Sequence, residues 1–160
     1  MHILGRRKFP LIEHSLEYAT DFHRLPHRHP FFFFDKILSI TPGRRITGQT
    51  TINAFHWQGA PVASATLPRS LMIEMIAQAG GALLLADPSC EFSQQIIMLT
   101  AIESASFRGD MKIGASLKIT ARILSLRSNG VRLSGTVSIS RSQMCSATIM
   151  CQFVELPRLG

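Results

Sequence analysis

A chain of 160 residues, 46% of them hydrophobic, has apolar mass for one ordinary domain with a single core and too much for a disordered chain. Lys and Arg outnumber Asp and Glu by 17 to 10, giving a net charge of +7, but the arginines are scattered and no basic recognition helix, zinc-finger spacing or aromatic RNA-binding signature accompanies them, so nucleic acid is not expected. The three cysteines and six histidines show no metal-site spacing, and neither a metal nor a cofactor is expected.

The first residues carry Arg6, Arg7 and Lys8 with no apolar run behind them, which predicts a cytoplasmic chain without a secretory signal or membrane span. Residues 1–24 read as an N-terminal extension, with one short helix starting near residue 9 and broken at Leu25-Pro26. The aromatic run Phe31–Phe34 and the residues up to Ile40 predict a strand ended by the Pro42-Gly43 turn, and a second strand follows over residues 44–53. Between Asn53 and Pro68 a loop holds His56, Trp57, Gly59, Ala60 and Pro61.

Residues 67–86 are apolar at nearly every position, which predicts a helix buried at the centre of the domain, entered at Pro68 and stopped at Asp87-Pro88. Arg69, Glu74 and Gln78 argue against a bilayer span. Ser70, Glu74 and Gln78 recur at four-residue spacing, with Gly81 continuing the line, so they form a narrow polar seam on an otherwise apolar helix. A carboxylate in such a seam is partly desolvated and suited to acid–base work; the alternative is a Glu74 paired with an arginine or capped by backbone N–H groups.

Beyond the helix, residues 95–103 predict a strand, 107–114 an irregular connection, and 116–127 a strand with a bulge where the apolar phase changes at Ile123-Leu124. Asn129-Gly130 predicts a hairpin turn with positive φ into a strand with Val131, Leu133, Val137 and Ile139 on one face. A last strand alternates Cys145, Ala147, Ile149, Cys151 and Phe153 with polar residues; its two cysteines, about 20 Å apart along one strand, cannot form a disulfide. Two strands, one long helix and about four more strands, with no βαβ alternation, predict a single α+β domain over residues 1–160: an antiparallel β-sheet wrapped around a long central helix.

Four ordered pieces then resemble one family: Leu25, Pro26, His27, Arg28, Pro30 and Phe31 with Asp35; Asn53 with Gln58 and Gly59; Pro68, Leu71, Glu74, Ala77 and Gln78; and Ile102 to Arg108. Together they are similar to the hot-dog-fold 3-hydroxyacyl-[acyl-carrier-protein] dehydratases of the FabZ and FabA type. The resemblance implies a homodimer or higher homo-oligomer, with acyl tunnels at the dimer interface built from a loop of one subunit and the central helix of the other. It places Glu74 at the carboxylate that acts on the β-hydroxyl. The loop histidine that removes the α-proton in the family corresponds to Ala60, within Gly59-Ala-Pro-Val62, and the glycine that usually follows the helix-entry proline is Arg69, whose backbone N–H is a candidate oxyanion donor.

Gly59, Ala60, Pro68, Arg69 and Gln78 are therefore the expected substrate-binding residues, and Glu74 the expected catalytic one. Candidates for the vacant base are His56 in the same loop, His27 and His29, which the family uses structurally, or the histidine of a second hot-dog subunit in a heterodimer. Three functions compete. The first is a dehydratase of 3-hydroxyacyl thioesters on acyl carrier protein or CoA, in fatty-acid or polyketide-type metabolism, weak or incomplete as a homodimer. The second is a non-catalytic carrier-protein-binding subunit of a hetero-oligomeric dehydratase, and the third an acyl thioesterase using Glu74. Arginines near the tunnel mouth, Arg69 and Arg108 first, are expected to favour an acidic carrier protein or its phosphate.

Overall fold

The computed structural model describes residues 25–28, 31–53, 66–88 and 95–155. The N-terminal extension, His29, and the loop carrying His56, Gly59 and Ala60 lie outside the described residues. In chain order the elements are β1 (Lys36–Thr41), β2 (Arg45–Thr51), β3 (Thr66–Leu67), α1 (Leu71–Leu85), β4 (Gln95–Phe107), β5 (Met111–Lys112), β6 (Ser116–Arg127), β7 (Gly130–Ile139) and β8 (Ser142–Glu155). Six of the strands form one antiparallel sheet in the order β1-β2-β6-β7-β8-β4, and β3 pairs with β5.

Helix α1 packs against β2, β6, β7 and β8 and is apolar on almost every side because the sheet covers one flank while Leu25, Phe33 and Phe34 join the same core. Twelve of its fifteen residues are buried. Its glycines permit that packing: a Cβ at Gly80 would run into Leu133 of β7, and one at Gly135 of β7 would run into Ile76 of α1. Gly80 costs helix propensity but, with Gly135, brings helix and sheet closer than alanines would allow. A long central helix held by an antiparallel sheet is the α+β hot-dog fold.

The helix begins at Leu71 rather than at residue 67. Leu67 is drawn into β3, opposite Met111, and Pro68–Ser70 form a turn closed by Leu71 N–H to Pro68 O at 3.0 Å and Met72 N–H to Arg69 O at 3.0 Å. The connection at 107–114 is correspondingly less irregular than expected, since it holds β5, and β4 runs on to Phe107. The Phe31–Phe34 run is not a strand: its backbone bonds to a side chain of α1, and β1 starts only at Lys36.

The bulge in β6 is present, as a register shift between Ile123 and Ser125. The β6–β7 hairpin is also present, but Arg127 pairs with Gly130, so Ser128 and Asn129 make the turn, and Gly130 is not at positive φ. Gly130 has a different use: a Cβ there would strike the carbonyl oxygen of Cys151 on β8. Cys145 and Cys151 are both buried in β8 as free thiols.

Candidate functional site

The four-residue spacing of Glu74 and Gln78 brings their side chains together on α1, with Gln78 Nε2 donating to Glu74 Oε1 at 2.8 Å. Gln78 is 1% exposed, and its remaining groups are also engaged. Nε2 donates to Phe31 O at 2.7 Å and Oε1 accepts Phe33 N–H at 2.9 Å. A buried amide bonded on both ends has a fixed orientation, so Gln78 holds the Phe31–Phe33 segment to the helix and presents an N–H to Glu74.

On its other side Glu74 Oε1 meets His27 Nε2 at 3.0 Å. Among the described residues neither an arginine nor a backbone N–H takes the carboxylate; its partners there are an imidazole and an amide. His27 sits in a short irregular segment that is itself laced: Arg28 Nη1 donates to Leu25 O at 2.5 Å and to His27 O at 2.7 Å, and Phe31 N–H donates to Arg28 O at 2.9 Å. The Nδ1 atom of His27 is buried without a hydrogen-bond partner among the described residues. Glu74 and His27 remain partly open, their side chains 29% and 34% exposed.

Both face a cavity of about 310 Å³ whose apolar wall includes Leu25, Gly81, Leu85, Ile96, Ile97 and Leu99, with Cys151 beside them. Burial, then the nearby Glu74 charge, push the Cys151 thiol up to about 11, so it is a protonated wall residue at neutral pH rather than a thiolate nucleophile. A larger depression of about 460 Å³ lies elsewhere, among Arg45, Arg122 and the hydroxyls of Thr120, Ser134, Thr136 and Thr148. Among the described residues its lining has neither a carboxylate nor a histidine, so they offer no proton-transfer pair there, and the Glu74 cavity is the candidate site.

Pro68 and Arg69 do not line that cavity; they lie exposed in the turn before α1. Arg69 is committed to Asp110, with Nε at 3.0 Å and Nη2 at 2.9 Å from Oδ1, which removes it as a free cation. Arg108 is exposed just past β4, its N–H donated to Met144 O at 2.7 Å. Asp35 is structural: its carboxylate accepts Thr51 N–H at 2.7 Å and the Thr50 hydroxyl at 3.2 Å, tying the approach to β1 onto β2.

Residues 25–147 match the family described as the FabA-like domain. A 3-hydroxyacyl-[acyl-carrier-protein] dehydratase FabZ of Koribacter versatilis is 32% identical over 142 residues, covering 87% of this chain and 90% of that protein. The FabZ of Rickettsia bellii is 34% identical over 117 residues, covering 72% and 80%. Among solved structures, the dehydratase heterocomplex ApeI:P of Xenorhabdus doucetiae superposes with a TM-score of 0.64 at 18% identity, over 84% of this chain and 89% of the other. A hypothetical thioesterase of Streptococcus pneumoniae with coenzyme A superposes with a TM-score of 0.60 at 11% identity, over 85% and 96%. At these identities the two structures speak for the fold alone.

Proposed function

The chain belongs to the FabA-like family, and from that premise we propose that it acts on 3-hydroxyacyl thioesters of an acyl carrier protein as a slow, FabZ-like dehydratase. The observation that carries the reading is Glu74 at an apolar cavity, with Oε1 held by His27 and Gln78 while no described residue bonds Oε2. The cavity wall suits an acyl chain, and the free carboxylate oxygen suits proton transfer at the β-hydroxyl. Ala60 occupies the place of the family's loop base, and the loss of such a base lowers a rate by about 10²–10⁴. On this reading the homodimer turns over slowly.

The purified protein, given a 3-hydroxyacyl-carrier-protein thioester, is expected to form the 2-enoyl product slowly and to lose that activity in Glu74→Gln. Free acid as the product would instead identify a thioesterase. Tight carrier binding without any turnover would identify a non-catalytic subunit that needs a histidine-bearing partner.

A further inference from the structure

We propose that His27 is a positioning residue that aims Glu74, letting this one carboxylate carry both proton transfers in a chain whose loop base is absent. The inference rests on the dehydratase reading above and adds the route by which the remaining turnover proceeds. An ionised carboxylate only accepts hydrogen bonds, so the 3.0 Å contact has Nε2–H of His27 as donor to Oε1. Gln78 Nε2 donates to the same oxygen at 2.8 Å. Two donors converge on Oε1 and no described residue bonds Oε2, on a side chain that lines the apolar cavity.

Both donors are themselves held. The Gln78 amide is locked by Phe31 O and Phe33 N–H, and the His27 backbone is clamped by the Arg28 guanidinium on Leu25 O and His27 O. Nδ1 of His27 is buried, so the imidazole cannot itself reach a substrate α-carbon from that nitrogen, and Nε2 is occupied by Glu74. Its contribution runs through the carboxylate.

The chemistry balances on one group. Oε2 takes the α-proton, the Cα–H electron pair forms the Cα–Cβ double bond as the Cβ–O bond breaks, and the proton on Oε2 passes to the departing hydroxyl to leave as water. Glu74 returns to carboxylate and His27 keeps its Nε2 proton throughout. A misaimed carboxylate loses this geometry, and displacements of about 1 Å can cost about 10² in rate.

The test follows dehydration of 3-hydroxybutyryl-N-acetylcysteamine by wild type, His27→Phe, His27→Gln and Glu74→Gln, with circular dichroism confirming the fold of each. His27→Phe is expected to lose about 10² in kcat with KM little changed, and His27→Gln, which restores an N–H donor, to recover most of it. Nitrogen-15 spectra of the wild type are expected to show His27 as the Nε2–H tautomer, with its Nε2 signal moved in Glu74→Gln. Wild-type kcat in a folded His27→Phe, beside an inactive Glu74→Gln, overturns the positioning role alone. Absence of dehydration in every form, wild type included, overturns the dehydratase reading and this inference with it.

Discussion

Glu74 is held by what lies beside it, an imidazole and an amide on the same oxygen. On the proposed reading its carboxylate works without a loop histidine, with Ala60 standing where the family's base is expected. Ala60→His is therefore expected to raise dehydration by about 10²–10⁴, measured as kcat/KM on a carrier-bound 3-hydroxyacyl thioester. His56→Ala in the same assay is expected to leave the rate unchanged; a rate that collapses there would show that the loop histidine had taken over the base's work. The buried thiols offer a pH readout of the fold. A thiol in the unfolded chain titrates near about 8.5, whereas burial pushes Cys145 and Cys151 up to about 11. The folded state thus favours the protonated form, so the stability linked to these thiols is complete below about pH 8.5 and is lost as pH rises through about 11. Urea midpoints are expected to fall across that interval, and to fall less in a Cys145→Ala, Cys151→Ala double variant.

At the scale of elements, one buried amide ties α1 to the segment that closes over it. Gln78→Leu keeps the volume but removes the hydrogen bonds that Gln78 makes to Phe33 N–H and Phe31 O, at about 1–3 kcal/mol for a buried group left unsatisfied. Urea unfolding should show that loss, and turnover should fall as well because Glu74 loses one of its two donors. The contrast between legible and illegible elements has the same origin. Strands β6 to β8 carry a period-two apolar pattern, so their faces, their order and the bulge near Ile123 follow from local sequence. The Glu74–Gln78 contact likewise follows from helical spacing alone. The Phe31–Phe34 run has the composition of a strand, yet its backbone is claimed by a side chain far along the chain, which local composition cannot register. The placing of His27 on Glu74 is non-local in the same way: a short irregular segment held by Arg28 has no periodicity to announce which helix residue it will meet. Gly130 reads as a turn glycine because of Asn129 before it, whereas its use is close approach to β8.

At the scale of the whole molecule, the sheet of the described residues ends on β4, a thirteen-residue strand paired among them on one side only, to β8. It exposes Met98, Leu99 and Ile102, the last 53% accessible, along an edge that pairs with no other described strand. Long apolar edges of this kind invite edge-to-edge pairing. A second copy of the chain, docked along β4, would continue the sheet and cover these side chains. The same edge borders the Glu74 cavity through Ile96, Ile97 and Leu99, so association and activity should fail together. Ile102→Glu is accordingly expected to shift the protein from dimer to monomer in sedimentation velocity and to abolish dehydration, although Ile102 lines no part of the cavity. A monomeric wild type, or a dimer that survives Ile102→Glu with full turnover, would place the subunit contact elsewhere and leave the cavity complete within one chain.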